Sequence, residues 1–138
     1  LRETEEELGI SRDDIEIITE LDSICTTSGS QIFCFVGIVG GKAFAEIKPS
    51  AAEVAEVFTV DIDVLLKARP EMYYGALQQK PDPDFPYDRV TNGRIYPWAS
   101  GNVPVPVYDI MANDGKRIIW GLTGRMTKQF LEVLKCSN

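Results

Sequence analysis

The side chains best placed to do chemistry in this chain are the carboxylates at its amino end. Glu3, Glu6 and Glu7 are spaced i, i+3 and i+4, so on a helix they share one face within a single turn. Like charges at this spacing destabilise an isolated helix by about 0.2–0.5 kcal/mol per pair. A bound cation would relieve that repulsion. Arg2, one turn before Glu6, is one candidate, and a divalent metal such as magnesium, which binds carboxylate oxygens, is the other.

The apolar residues around these glutamates predict a short helix. At about 100° per residue, Leu1, Thr4 and Leu8 form a narrow stripe roughly opposite the acidic face. Gly9 follows directly and is expected to end the helix, because glycine readily takes the positive φ of the C′ position.

The composition of the chain limits the reactions in which these carboxylates can take part. The 138 residues suit one domain, and the net charge of −7 argues against a general binder of nucleic acid or anionic membranes. A polyanionic substrate must therefore be met by local cations or by bound metal. The chain has no histidine, which excludes Ser-His-Asp and Cys-His nucleophiles and the common histidine-based zinc sites.

The cysteines and the hydropathy of the chain bear on its location. Cys25, Cys34 and Cys136 are odd in number, far apart and without a CxxC spacing, so we expect reduced thiols in a cytoplasmic protein. No apolar run reaches the roughly 20 residues of a membrane span, and no signal peptide is visible. We expect no membrane partner.

The remaining patterns predict a mixed α/β domain. Strands are expected at five stretches: 15–21, 31–39, 57–60, 105–110 and 117–120. The run at 31–39 is almost continuously apolar, which favours a central strand buried on both faces, whereas 105–110 resembles an edge strand. A tight turn at 113–116 would pair the last two strands.

Two helices and one insertion complete the predicted domain. A short helix starts at Asp61, its expected N-cap, and a long one runs from about Leu122 to Leu134. The apolar face of the long helix is expected at five positions: Leu122, Met126, Phe130, Val133 and Leu134. Residues 70–106 are rich in proline and tyrosine, and we expect an irregular or hairpin-like insertion whose aromatic rings pack together.

The segment from Arg2 to Ile10 resembles the second half of the Nudix box, which reads Arg-Glu-apolar-x-Glu-Glu-x-Gly-apolar. Only Thr4 departs, since an aliphatic residue is usual there. The first half of the box would lie upstream of Leu1. We therefore expect that the N-terminal part of the domain is missing from this sequence, which would leave the sheet with an open edge.

Other stretches resemble the coenzyme A diphosphatase branch of the Nudix hydrolases. They are Glu53–Val60 followed by Leu65 and Leu66, Ile119–Met126, Phe85–Tyr87 and Tyr96–Trp98. The resemblance implies a single Nudix domain over residues 1–138, folded as an α/β/α sandwich around a mixed β-sheet.

The same resemblance implies a metal-dependent pyrophosphohydrolase. The expected reaction splits coenzyme A or a derivative into 4′-phosphopantetheine and 3′,5′-ADP. Two alternatives stay open: a Nudix hydrolase acting on ADP-ribose or NADH-type dinucleotides, and a non-catalytic Nudix-like module that binds a nucleotide. The expected partner is a small-molecule nucleotide, and a homodimer is left open. An isomerase of the same fold is disfavoured, because it depends on a histidine-bearing metal site.

The resemblance also assigns roles. Glu6 and Glu7 are expected to bind Mg²⁺ or Mn²⁺, with Glu3 as a further ligand or as the base that takes a proton from water. Arg2 would hold the carboxylates in position by charge-assisted hydrogen bonds. Glu53 is the expected ligand from outside the box and Glu56 the alternative, although a solvated surface glutamate explains either equally well.

Several residues of the second half have weaker expectations. Arg125 and Lys128 could contact the 3′-phosphate of coenzyme A, but surface cations are common on helices. Three tyrosines could stack an adenine, although packing within the protein is the safer interpretation: Tyr73, Tyr74 and Tyr87. Trp120 and Gly121 are expected to serve packing and a turn rather than ligand binding.

Overall fold

The computed structural model describes residues 1–136 and is a mixed α/β fold with two antiparallel sheets. Its helices are α1 (Arg2–Leu8), α2 (Gly41–Ala45), α3 (Ile62–Lys67), α4 (Tyr87–Val90) and α5 (Gly121–Cys136), with a 3-10 turn at Arg12–Asp14. Its strands are β1 (Ile15–Cys25), β2 (Gln31–Val39), β3 (Glu71–Gln78), β4 (Ser100–Ala112) and β5 (Gly115–Ile119). Within this range, no helix is long and apolar enough to cross a lipid bilayer.

The first sheet is an antiparallel pair of β1 and β2, with bounds for β2 as predicted. One face packs on α5: Leu21, Ile24 and Cys34 are buried, and Met126 and Phe130 of the helix cover them. This arrangement removes a compact set of apolar side chains from water.

The prediction that β2 is buried on both faces is wrong. Phe33 and Phe35 are 59% and 55% exposed, and Cys34 between them is buried. The reason is that β2 has β1 as its single strand neighbour within residues 1–136, and α5 covers only one face of the pair. The alternation of exposure along the strand follows the period of two in side-chain direction.

The second sheet has the order β3-β4-β5, which corrects the prediction of an edge strand at 105–110. β4 is central because β3, which was not predicted, pairs with its first half, and β5 pairs with its second half. Pro104 and Pro106 are two residues apart and so face the same way. Residues in that half of β4 pair on one side only, which is where a strand tolerates proline.

Residues 70–106 contain the predicted hairpin and the predicted packing of aromatic rings. Part of the segment is regular, however, because it includes β3. Between β3 and β4, four aromatic side chains form a cluster: Phe85, Tyr87, Tyr96 and Trp98. The Phe85 ring lies 5.1 Å from that of Trp98, edge to face, and Trp98 Nε1 donates to Tyr87 Oη at 2.8 Å. The segment between β3 and β4 thus has a small core of its own.

The main core lies between β4 and α5, where Tyr108, Ile110 and Leu131 are buried. The two elements approach closely at Gly124, where an added Cβ would lie 2.6 Å from the carbonyl oxygen of Pro106. The helix was predicted correctly, but its buried face is shifted. Leu122 is exposed, whereas Leu131 is almost fully buried.

The segment before α3 is irregular, so the predicted strand at 57–60 is wrong. Its polar groups pair instead with the β4–β5 turn: Asn113 N donates to Thr59 O at 3.1 Å, and Asn113 Nδ2 donates to Thr59 Oγ1 at 3.0 Å. The helix that follows begins as predicted, because the Asp61 side chain accepts a hydrogen bond from Asp63 N. The tight turn is also confirmed, since Ala112 pairs with Gly115.

Candidate metal-binding site

Helix α1 presents its acidic residues to solvent. It ends as predicted at Gly9, whose φ of 68° is left-handed and whose N–H donates to Glu5 O at 3.0 Å. None of the residues of α1 is buried. A dissolved ion can therefore reach Glu3, Glu6 and Glu7 without any rearrangement of the backbone.

Arg2 joins two of the three predicted carboxylates. Its Nη1 lies 3.1 Å from Glu6 Oε2, and its Nη2 contacts Glu3 Oε1. These are the charge-assisted hydrogen bonds expected from the sequence, although all three side chains are largely exposed. The arrangement keeps Glu3 and Glu6 on one side of the helix. Their part in catalysis stays a prediction.

The end of α1 is bonded to the segment that carries Glu53. The carbonyl oxygen of Leu8 accepts from Lys48 N at 3.0 Å, and that of Glu7 accepts from Ser50 N at 2.8 Å. Ser50 O in turn accepts from Glu53 N at 3.1 Å. Ser50 therefore links two acidic residues that are far apart in sequence.

The carboxylates of Glu7 and Glu53 make no hydrogen bond and no ion pair with any residue between 1 and 136. Both are exposed. Unlike Glu3 and Glu6, whose oxygens contact Arg2, these two groups retain their full capacity to bind a cation.

The alternative ligand Glu56 is already paired. Arg117 Nε lies 3.2 Å from Glu56 Oε1, and its Nη2 donates to Asp114 Oδ2 at 2.7 Å. The same guanidinium lies 5.6 Å from the centre of the Phe58 ring. Of Glu53 and Glu56, the two glutamates predicted as a ligand from outside α1, the structure leaves Glu53 available.

No group of three or more acidic or cysteine side chains converges on a ready-made metal site in the part of the chain that the structure describes. The donors nevertheless suit magnesium or manganese in chemistry, since all four predicted ligands offer hard carboxylate oxygens. They are also solvent-accessible, and exposed side chains change rotamer within nanoseconds. The residues fit such an ion in kind and in accessibility, and binding would require their side chains to turn.

One ion pair beside the candidate site was not predicted. Arg12 donates to Glu5 Oε2 through Nε at 3.1 Å and through Nη2 at 2.6 Å. This hydrogen bonding lowers the pKa of the Glu5 carboxyl below its ordinary value. The pair fastens α1 to the 3-10 turn that follows it. The two residues are seven apart across Gly9, so helical spacing gives no signal for their contact.

The weaker candidates lie in other places. Arg125, Lys128 and Tyr74 line one cleft of about 530 Å³ between the second sheet and α5. Lys128 pairs with Glu132, and Arg125 donates to Cys25 O at 3.4 Å.

The other aromatic candidates have different surroundings. Tyr73 is exposed and donates to Glu71 Oε2 at 2.7 Å, which raises the pKa of the Tyr73 hydroxyl. Tyr87 belongs to the aromatic cluster. The packing role predicted for Trp120 is wrong, because the side chain is 65% exposed at the junction of β5 and α5. Gly121 does form the turn there, with a φ of 64°.

The three cysteines are free thiols, as predicted. Cys34 is buried, and burial raises the pKa of its thiol. Cys25 and Cys136 are exposed.

Comparison of the chain with protein families, with curated proteins and with solved structures finds no match. Its function must therefore be inferred from its own residues and their geometry.

Proposed function

We propose that this chain is a metal-dependent hydrolase of the Nudix type, with the α/β/α sandwich of that family, and that it cleaves a diphosphate linkage in coenzyme A or a derivative. The observation that carries the proposal is the contact between two acidic segments. Hydrogen bonds through Ser50 hold the turn that contains Glu53 against the end of α1, which contains Glu7.

Each residue of the site has a proposed role. Glu6 and Glu7 hold Mg²⁺ or Mn²⁺, Glu53 adds an oxygen from the neighbouring turn, and Glu3 is a further ligand or accepts the proton of the attacking water. When bound, such an ion neutralises phosphate charge and lowers the pKa of water. Arg2 orients Glu3 and Glu6 and limits their mutual repulsion.

The choice of a nucleotide substrate is supported by the cleft beside α5. Tyr74 is an exposed aromatic ring on one wall, and Arg125 is a cation on the other, where Lys128 is paired with Glu132. A planar base and a phosphate are the chemical groups that rings and guanidinium groups contact well. The choice of coenzyme A over other dinucleotides rests on the resemblance of Glu53–Val60 and Ile119–Met126 to the corresponding branch.

Product identification tests the proposal. The purified protein is incubated with coenzyme A and Mg²⁺, and the products are identified by mass. We expect 4′-phosphopantetheine and 3′,5′-ADP, and we expect neither when the metal is removed with a chelator. Intact coenzyme A beside rapid cleavage of ADP-ribose or NADH would move the assignment to another Nudix branch. No cleavage of any of the three would contradict a hydrolase.

The absence of a ready-made cluster of three donors within residues 1–136 favours one second candidate, a Nudix-like module that binds a nucleotide without cleaving it. Such a module would bind the nucleotide equally well with and without Mg²⁺. Calorimetric titration in the presence and absence of metal separates it from an enzyme whose site needs the ion.

A further inference from the structure

We propose that Gln129 selects the base of the nucleotide, by accepting a hydrogen bond from the amino group of adenine in the cleft beside α5. The inference rests on the proposed function, because it concerns the nucleotide that this function requires. It names the residue that separates adenine from a purine with a carbonyl group at the same ring position. It involves neither the carboxylates of α1 nor a metal ion.

Gln129 carries a polar atom that lacks a partner. Its side-chain oxygen Oε1 is buried and accepts no hydrogen bond from any residue between 1 and 136. The residue as a whole is half-buried, and it lines the cleft of about 530 Å³ between the second sheet and α5. An acceptor withdrawn from water without a donor costs free energy, and native proteins contain few of them. A ligand that brings an N–H group to this oxygen removes that cost.

The amide group of Gln129 can turn toward the cleft. Its last torsion angle has broad, two-fold preferences, unlike the torsions between tetrahedral carbons. Rotation about this bond therefore redirects Oε1 without moving the helix. The rotation breaks no hydrogen bond, since none joins this side chain to another described residue.

The same cleft offers groups for the rest of a nucleotide. Tyr74, on β3, presents an aromatic ring that is 65% exposed and suits stacking against a base. Arg125, one turn before Gln129 on α5, lies about 6 Å from it along the helix axis. Its guanidinium donates one hydrogen bond, to Cys25 O at 3.4 Å, and forms no ion pair with a described carboxylate, so it is available for a phosphate. An acceptor, a ring and a cation thus border one cleft.

The unpaired oxygen of Gln129 favours adenine over a 6-oxo purine. The exocyclic amino group of adenine is a hydrogen-bond donor, whereas hypoxanthine has a carbonyl oxygen at that position. If the amide turns its NH₂ group to hypoxanthine instead, the base is satisfied but Oε1 still lacks a donor. A hydrogen bond that forms in one complex and not in the other changes affinity by up to about tenfold.

Calorimetric titration with ADP and with inosine 5′-diphosphate tests the inference. EDTA is present, so that the result does not depend on a metal site. We expect the wild type to bind ADP about tenfold more tightly than inosine diphosphate. Gln129→Met, which has a similar length and no strong acceptor, should lose this preference by weakening the binding of ADP alone. Tyr74→Ala should weaken both ligands alike, since either base can stack on the ring.

The stability of the Gln129→Met variant gives a second measurement. Because the substitution removes an acceptor that has no donor, the free protein should melt at the temperature of the wild type or above it. A lower melting temperature would contradict the absence of a partner for Oε1. Gln79→Met is the matched control, because Gln79 is exposed and lines a different cleft. It should keep the preference for ADP.

The possible outcomes separate the role of Gln129 from the proposed hydrolase. Cleavage of coenzyme A together with equal binding of ADP and inosine diphosphate would overturn the role of Gln129 and leave the hydrolase intact. Equal weakening of both ligands by Gln129→Met would do the same. Selective binding of ADP that depends on Gln129, without cleavage of any diphosphate, would retain the role of Gln129 and remove the hydrolase. A wild type that neither binds a nucleotide nor cleaves one would remove both.

Discussion

Helix α1 and helix α5 share the same secondary structure but differ in their burial and in the contacts that hold them. α1 has seven residues, none of them buried, and it is held by ion pairs and by backbone hydrogen bonds at its end. α5 has sixteen residues and packs against both sheets through Gly124, Phe130 and Leu131. The short helix concentrates charge, and the long helix concentrates apolar contact.

The contrast between α1 and α5 predicts that the residues that determine activity differ from those that determine stability. Burial of apolar surface dominates the free energy of folding, whereas exposed ion pairs contribute little. Replacing a carboxylate of α1 should therefore change activity with little effect on stability. Replacing a contact residue of α5 should do the reverse.

The largest effect is expected from Glu7→Gln. Glutamine has nearly the same shape, but it lacks the negative charge that binds a cation, so kcat for coenzyme A should fall on the order of 100-fold or more. The melting temperature should stay unchanged, because Glu7 has no side-chain partner among the described residues. Glu6→Gln should act similarly. Turnover near that of the wild type in either variant would show that the carboxylates have been given the wrong role.

Leu131→Ala should have the largest effect on stability. Leu131 is 3% exposed between β4 and α5, and removing such a side chain leaves a cavity that costs about 2–5 kcal/mol in the free energy of unfolding. Urea titration followed by fluorescence measures the change. Leu122→Ala, on an exposed part of the same helix, is the control and should cost much less. Equal losses would mean that the core is misplaced.

Gly124→Ala should destabilise the same packing of α5 on β4, but by adding an atom instead of removing one. The new Cβ would lie 2.6 Å from Pro106 O, a backbone atom that cannot move aside easily. Overpacking of this kind costs about 1–3 kcal/mol. Since alanine favours helix, an increase in the melting temperature would show that α5 and β4 are further apart than described.

The smallest effect is expected from Arg12→Gln. Because Arg12 depresses the pKa of Glu5 in the folded state, the pair contributes stability that is fully present above the ordinary value of 4.5 and is lost as pH falls through the folded value. The variant should melt slightly below the wild type near neutral pH. The difference in melting temperature between the variant and the wild type should disappear in acid, below pH 4.5. A gap that persists there would assign the effect to something other than the ion pair.

The elements that the sequence predicts correctly are those with clear local sequence patterns. Gly9 marked the end of α1, Asp61 capped α3, and the run at 31–39 gave the bounds of β2. Each depends on neighbouring residues alone, as do the tight turn after Ala112 and the position of α5.

The predictions of strand pairing and burial are wrong where contacts between segments distant in sequence determine the structure. β3 lies in a stretch with turn-forming residues, and when β3 is missed the sequence predicts an edge strand at 105–110. An apolar run such as 31–39 predicts a strand but does not show which of its faces another element will cover. Likewise, the carboxylates of α1 were visible in the sequence, whereas the link through Ser50 and the pairing of Arg117 with Glu56 depend on tertiary contacts.

The central claim is that carboxylates of α1 and of the neighbouring turn bind a divalent ion together. A crystal soaked in Mn²⁺ tests it most directly, because manganese gives an anomalous signal that locates it. We expect a peak within coordination distance of Glu6, Glu7 and Glu53. A map with no peak beside these side chains, or with manganese bound elsewhere on the protein, would contradict the account.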